Sequence, residues 1–189
     1  MPPPFILDAM PTRMDLKLEL EAMLEADQSL RILMDDAAKN HGVQSPEMAA
    51  LWKRQAPIDA ANLARIVGII DSNGWPNRSS VGDKASDAVF FIIQHASESY
   101  QKKYFPMLRA AAAAGEALPK HVALLQDRIL MTEGERQLYG SQLQQNAAGG
   151  WEYYPIEDEE NVDRRRAEVG LPPLAENAKR FGFEYRPKT

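Results

Sequence analysis

The chain has 189 residues, 44% hydrophobic and 26% charged, which is enough apolar material for the buried core of one domain. Its net charge of −5 argues against nonspecific nucleic-acid binding, which requires a surplus of Lys and Arg. The absence of cysteine excludes disulfides, thiolate catalysis and zinc–thiolate sites. No apolar run approaches the roughly 20 residues that span a bilayer, and the first residues lack an export signal. The sequence therefore predicts a soluble, cytoplasmic protein with no membrane or nucleic-acid partner.

A proline-rich segment, "MPPPFILDAMPTR", comes first and predicts an extended arm over residues 1–13. Its apolar residues, Phe5 to Leu7, are suited to docking on a neighbouring molecule or on the body of the domain. A frayed terminus is an equally good interpretation of the same segment.

Helical patterns follow, and a single helical domain is predicted over residues 14–189. Apolar residues recur at intervals of three and four from Met14 to about Asn40, which predicts the first helix. Ser45 as N-cap and Pro46 at the first helical position predict the start of the second helix. Pro57 predicts an interruption or a kink within it.

A loop over residues 74–82 precedes the helix that contains "FFIIQHASESYQ". This helix is predicted to begin near Asp83, to run through the quoted stretch and either to end near Tyr104 or to continue past it. Pro106 predicts a kink or a break near that point.

The last part of the chain combines helices with irregular segments rich in Gly and Pro. Pro119 and Gly134 bound the predicted helix "PKHVALLQDRILM". Short helices are predicted near Glu159 to Val169 and near Leu174 to Phe181, with a brief extended segment at "WEYYPI". The fold class is therefore all-α, a single-domain helical bundle with an irregular C-terminal third.

His95 is the first candidate for chemistry. At 100° per residue it lies at the edge of the apolar stripe of its helix, and Glu98 follows three residues later on the same edge. A carboxylate at that distance would fix the imidazole as a general acid or base. The alternative is a boundary histidine with a helical ion-pair partner, and the pair alone does not decide between the two.

The helix "HVALLQDRILM" is apolar on nearly every side, yet Gln126, Asp127 and Arg128 leave it in three directions. At least one of the two charges is therefore expected to be buried, at a cost of several kcal/mol unless it is paired and hydrogen-bonded. Such residues either fix the packing or build a site.

Further polar residues cluster in the C-terminal third. Arg165 and Arg166 could clamp a phosphate or carboxylate, because a guanidinium offers a bidentate fork. A solvated surface helix is the alternative for most of these charges, since acids come early and bases late. The sequence predicts substrate binding by Gln94, Gln137, Tyr139, Gln142, Asp163, Arg165 and Arg166.

Several segments in this order resemble an uncharacterised bacterial family catalogued as a domain of unknown function. They are "GWPNRSSVGDKASDAVFFIIQHA", "QDR", "QLYGSQ" and "PIEDEENVDRRRAEVGLPPL", between about Gly74 and Leu174. The resemblance implies that the shared positions group around a common feature, but it implies no reaction. The family pattern has a small acidic residue after "QHA", where this chain has Ser97, so a carboxylate role there would pass to Glu98. The shared positions are Trp75, Pro76, Gly82, Gln94, His95, Asp127, Arg128, Gln137, Tyr139, Gly140, Gln142, Glu157, Asp158, Asp163, Arg165, Arg166, Gly170 and Leu171.

Two functions follow as hypotheses. In the first, the protein is a small enzyme in which His95 acts as acid or base, with Asp127 and Arg128 in the catalytic group, on an anionic small molecule held by arginines. In the second, it is a non-catalytic interaction module whose polar network is structural. The N-terminal arm and first helix would then bind a protein partner or a second copy of the chain.

No cofactor can be named from the sequence. A metal site would require His95 with carboxylates such as Glu98 and Asp127 from facing helices, and the paired Glu-x-x-His signature of such bundles is absent. No phosphate-binding loop or nucleophile elbow occurs either. The sequence therefore predicts no metal and leaves the cofactor unknown.

Overall fold

The computed structural model describes residues 13–147 and 149–185, and this part of the chain is all-α with one small hairpin, which confirms the predicted class. The predicted arm lies outside the described residues except for Arg13, where the first helix begins. None of the described helices is long and apolar enough to cross a membrane. The elements are α1 (Arg13–His41), α2 (Pro46–Asn73), α3 (Arg78–Val81), α4 (Asp83–His95), α5 (Glu98–Ala113), α6 (Pro119–Thr132), β1 (Leu143–Gln145), β2 (Trp151–Tyr153), a 3-10 turn (Glu159–Asn161), α7 (Val162–Glu168) and α8 (Leu174–Arg180).

The described residues divide into two compact units, with the boundary between Ile92 and Ile93. In the first unit, α1 and α2 pack as an antiparallel pair. The buried residues of α1 recur every three or four positions, and most of those of α2 recur after three, four or seven, as the helical period requires. Polar side chains also link the helices, because Asn62 donates to the Met23 carbonyl and Arg65 pairs with Glu19.

Local signals explain the ends of α2. The Ser45 hydroxyl accepts a hydrogen bond from the Met48 N–H at 3.2 Å, and Pro46 occupies the first turn, where its missing N–H costs nothing. Gly74 ends the helix with φ of +78°, a conformation that favours glycine. Both ends were predicted.

Neither proline breaks its helix. The interruption at Pro57 and the break near Pro106 are excluded, because α2 and α5 are continuous through these residues, while the alternative of a kink at each stays a prediction. Both prolines are exposed, so the turn that each leaves without an N–H donor faces water. The break in the histidine segment falls at residues 96–97, where α4 ends and Ser97 begins the next helix.

In the second unit, α5 and α6 pack together, and the C-terminal segment forms a small core of its own. This core is built from Tyr153, Ile156, Val162, Leu174 and Ala178. The β1–β2 hairpin pairs Leu143 with Tyr153, which places that tyrosine in the core. The predicted extended "WEYYPI" segment and the two short helices are therefore confirmed.

Candidate functional site

All the predicted site residues belong to the second unit. Gln94 and His95 end α4, and both are half-buried. Asp127 and Arg128 lie on α6, the first fully buried and the second half-buried. The remaining candidates follow α6 or lie on α7, namely Gln137, Tyr139, Gln142, Asp163, Arg165 and Arg166.

The carboxylate of Asp127 organises the loop over residues 138–141, which we call the cradle loop. Asp127 Oδ1 accepts from the N–H groups of Leu138 at 2.7 Å and Tyr139 at 3.0 Å, and Oδ2 accepts from the Ser141 N–H at 2.9 Å. The side chain has no exposed surface. The predicted desolvated charge on α6 is therefore present, and backbone donors compensate it.

Two arginines of α7 bind the carbonyl side of the same loop. Arg165 Nε donates to the Leu138 carbonyl at 2.9 Å. Arg166 Nη1 donates to the Tyr139 carbonyl at 2.5 Å, and Arg166 Nε donates to the Pro172 carbonyl. The cradle loop thus gives its N–H groups to a carboxylate and its carbonyls to guanidinium groups.

The charges of this arrangement are costly to bury. Burial raises the pKa of the Asp127 carboxyl above its usual value, and the backbone N–H donors oppose that change. Burial also lowers the pKa of the Arg166 guanidinium, which is 1% exposed, while nearby Tyr153, Asp163 and Asp127 act in the opposite direction. The network therefore depends on every partner being in place.

Gln137 and Gln142 flank the cradle loop and bind each other across its two ends. Gln137 Nε2 donates to the carbonyls of Gln142 and Tyr154, and its Oε1 accepts from the Gln142 N–H at 2.8 Å. The backbone of Gln137 also pairs with the segment around Ile156 as an isolated parallel bridge. Both the nitrogen and the oxygen of the Gln137 side-chain amide thus have hydrogen-bonding partners in the backbone.

Asp163 and Arg165 have equally specific contacts. Asp163 Oδ1 accepts from the Leu174 N–H at 2.8 Å, at the start of α8. Arg165 Nη1 binds the carboxylate of Asp158, which is held at φ of +44°. These contacts favour a structural role for Asp127, Gln137, Asp163, Arg165 and Arg166, and their predicted roles in catalysis or substrate binding stay predictions.

The junction of α4 and α5 presents a different situation, and we call it the histidine corner, formed by Gln94, His95 and Gln101. Gln101 Nε2 donates to the carbonyls of Gln94 and Ala96, both at 2.9 Å, so this amide lies against the backbone on both sides of His95. It satisfies two carbonyls at the end of α4 that have no helical partner. Gln101 is only 4% exposed.

Two oxygens at the histidine corner lack donors. Gln101 Oε1 and Gln94 Oε1 are both buried, and neither has a hydrogen-bonding partner among the described residues. A buried acceptor without a donor costs about 1–3 kcal/mol, so native proteins usually supply water or a ligand there. The histidine corner therefore buries two acceptors that the described residues do not compensate.

The predicted His95–Glu98 pair rested on one continuous helix, and that geometry is wrong. α4 ends at His95 and α5 begins at Glu98, so a helical spacing of three residues no longer relates the two side chains. Glu98 forms an ion pair with Lys102 at 2.5 Å, and Lys102 also pairs with Glu133 at 2.7 Å.

Gln101 was not among the predicted site residues, although a signal for it exists. It stands three, seven and ten residues before Tyr104, Leu108 and Ala111, which are the buried residues of α5. A glutamine on the apolar stripe of a helix is expected to be buried. Its position against the α4 backbone depends on the break at residues 96–97, which the sequence reading missed.

A metal centre finds no support in the part of the chain that is described. Among those residues, no group of three or more His, Asp or Glu side chains is placed to hold a metal ion. His121, a second histidine of this unit, is buried on α6, and its burial lowers its pKa to about 3. It is therefore a neutral residue of the interior at pH 7.

Comparison with known proteins gives one match. No curated protein and no solved structure matches the chain. A family model described as "Family of unknown function (DUF6624)" matches residues 14–187, a longer region than the motifs between Gly74 and Leu174 indicated. The chain therefore belongs to the DUF6624 family.

Proposed function

We propose that the protein binds a small molecule at the histidine corner and that His95 serves there as a general acid or base. The observation that supports this proposal is the buried amide of Gln101, which donates to the carbonyls of Gln94 and Ala96 and so lies against the backbone on both sides of the half-buried His95. Enzymes place a half-buried imidazole next to polar groups that orient the reacting molecule.

The contacts of the cradle loop change which of the predicted residues the proposal assigns to the site. Because Arg165 and Arg166 donate to backbone carbonyls, the proposal no longer assigns the substrate to these two arginines. The proposal thus keeps His95 from the predicted catalytic group and assigns Asp127 to the fold. The predicted cytoplasmic setting is kept as part of the proposal.

A screen of small molecules against the full chain tests the proposal. Compounds are first selected by thermal stabilisation, and their chemical conversion is then measured with the wild type, His95→Gln and the matched surface control His41→Gln. We expect His95→Gln to fold normally and to lose about 10²–10⁴-fold in rate, the usual contribution of a general acid or base. Equal rates in all three proteins, or no compound that perturbs the His95 NMR signals, would contradict the proposal.

A second function has its own supporting observation. α1 exposes Met14 (61%), Leu18 (58%) and Ile32 (62%), which lie within about 40° of one another at 100° per residue. This outer face is opposite the stripe that α1 buries. We propose as the alternative that a second copy of the chain covers this outer face, in a homodimer that also involves the N-terminal arm.

Molar mass in solution tests the alternative. Size-exclusion chromatography with light scattering is expected to give about twice the chain mass of 21.2 kDa. Leu18→Glu and Ile32→Glu should restore the monomer, because each would bury a charge in the interface. Val43→Glu, at an exposed apolar residue outside α1, serves as the matched control. A wild type that is monomeric throughout the micromolar range would exclude the homodimer.

A further inference from the structure

The outer face of α1 carries two apolar patches with acidic residues between them. Met14 and Leu18 form the first patch, near the start of the helix, and both are more than half exposed. Ile32 forms the second patch, about 21 Å from Leu18 at a rise of 1.5 Å per residue. Glu25 is exposed between them and lies within about 20° of all three at 100° per residue. A partner that matches this face therefore covers both patches and meets the carboxylate between them.

The two patches lie at equal distances from Glu25. Leu18 is seven residues before Glu25 and Ile32 is seven residues after it, one on each side of its direction around the helix. In an antiparallel pair of identical helices with a two-fold axis at Glu25, a residue before Glu25 is level with the residue that follows it by the same interval in the other copy. Leu18 is then level with Ile32 of the second copy, and the symmetry repeats this contact. Each patch thus covers the other.

The charges of α1 favour an antiparallel pair over a parallel one. In a parallel pair with two-fold symmetry each residue lies level with its own copy, so Lys17, Glu25 and Asp35 would all meet like charges. In the antiparallel pair, Lys17 is within about 3 Å of the level of Asp35 in the second copy. The two residues lie on one side of the helix, because they are about five turns apart. Opposite charges therefore meet where like charges would meet in the parallel pair.

The two charges of this pair are accessible. The Lys17 side chain is 42% exposed, and Asp35 is exposed. Lys17 forms an ion pair with Glu21 of its own helix at 3.9 Å, and pairs of this type contribute little to stability. Glu25 still meets its own copy in the antiparallel pair, so the two carboxylates repel each other at the axis and limit the affinity.

We propose that two copies of the chain associate through an antiparallel pair of α1 helices whose two-fold axis passes at Glu25. Leu18 of each copy packs against Ile32 of the other, and Lys17 of each copy lies beside Asp35 of the other. This inference rests on the homodimer given above as the alternative function. It adds the direction of the helices, their register and the residue that limits the affinity.

Cysteine cross-linking of the full chain tests the direction and the register. Because the chain has no cysteine of its own, a single introduced thiol can form a disulfide only with the same position of a second copy. We expect Glu25→Cys to cross-link under mild oxidation, since the axis brings its two copies together. Leu18→Cys alone should not, because its two copies lie about 21 Å apart along the pair. Leu18→Cys combined with Ile32→Cys should cross-link, and Val43→Cys, at an exposed position outside α1, is the matched control.

Charge variants test the contacts independently, with the dimer Kd measured by light scattering over a dilution series. Glu25→Gln should lower the Kd about tenfold, because it removes the repulsion at the axis. Lys17→Glu should raise the Kd about tenfold, and adding Asp35→Lys to it should restore the wild-type value. A parallel pair predicts no such restoration, since each residue would still meet its own copy. Circular dichroism shows whether each variant keeps its helices.

The outcomes separate this inference from the homodimer itself. A dimer in which Leu18→Cys alone cross-links as readily as Glu25→Cys is parallel, which overturns this inference and leaves the homodimer. A dimer in which neither these variants nor the Leu18→Cys, Ile32→Cys pair cross-links uses another face, which overturns both. Wild type and Glu25→Gln that are both monomeric throughout the micromolar range would also overturn both. Cross-linking of Glu25→Cys without that of Leu18→Cys, together with the restored charge swap, would support both.

Discussion

At the scale of single residues, Asp127 combines a charged side chain with complete burial. One carboxylate satisfies three backbone N–H groups of the cradle loop from a position with no exposed surface. The side chain therefore acts like a bound anion that is covalently attached to α6.

Replacing Asp127 by Asn should destabilise the protein by about 2–4 kcal/mol, since an amide nitrogen would face N–H donors that need an acceptor. Asp163→Asn is the matched control, because that exposed carboxylate accepts one N–H through an oxygen that Asn retains. Its effect should stay within about 0.5 kcal/mol. Urea unfolding measures both, and equal losses in the two variants would refute the role given to Asp127.

The burial of His121 predicts that the folded protein loses stability in acid. Its pKa is lowered from 6.5 to about 3, mainly by burial and also by Lys120. Between these two pH values the unfolded chain binds a proton at His121 and the folded chain does not. The stability due to neutral His121 is present above pH 6.5 and is lost as the pH falls toward 3. The loss should be about 1.4 kcal/mol per pH unit below the unfolded pKa.

Comparing pH profiles of unfolding tests this expectation. The free energy of unfolding of His121→Gln should change less with pH than that of the wild type between pH 6 and pH 4, whatever its value at neutral pH. His41→Gln, at an exposed position of α1, should follow the wild-type slope. If all three profiles run parallel, His121 is not buried in its neutral form.

At the scale of elements, the cradle loop is fixed by close packing as well as by hydrogen bonds. Gly140 has φ of +63°, and a Cβ there would lie 2.7 Å from Leu174 Cδ2 and 2.8 Å from Ile156 Cδ1. Both strain and crowding therefore oppose any larger residue at this position.

Gly140→Ala is expected to cost about 2–4 kcal/mol, the sum of left-handed backbone strain and overpacking. Gly115→Ala isolates the backbone contribution, because Gly115 has φ of +77° with open space around it, and it should cost about 1 kcal/mol. Thermal unfolding separates the two. A smaller loss at Gly140 than at Gly115 would show that the loop does not pack against α8 in this way.

Helix ends were predictable where the sequence carries a specific cap. Ser45 with Pro46, Gly74 and Pro119 act within one turn of the chain, so local rules suffice. The break after His95 was missed because no Gly or Pro marks residues 96–97. Ser97 is the N-cap of α5, and serine is a residue type that often caps a helix.

The long-range contacts could not be predicted in the same way. Burial of Asp127 follows from the apolar surroundings of "QDR", but its partners lie 11 to 14 residues away in a segment without a repeating pattern. Gln101 depends likewise on how α5 turns back against the end of α4. Such contacts are set by tertiary packing, which a single sequence does not reveal.

At the scale of the whole molecule, the two units differ in what they offer. The first unit presents the apolar outer face of α1, on which the alternative proposal of a homodimer rests. The second unit holds both the cradle loop and the histidine corner. In the second unit the polar residues of the cradle loop bind the backbone, while two buried oxygens of the histidine corner have no donor among the described residues.

The most direct measurement compares the wild type with His95→Gln in the conversion of a compound selected by thermal stabilisation. The account predicts that His95→Gln keeps its fold and loses about 10²–10⁴-fold in rate. Equal rates in the two proteins, or a screen in which no compound stabilises the chain, would contradict it.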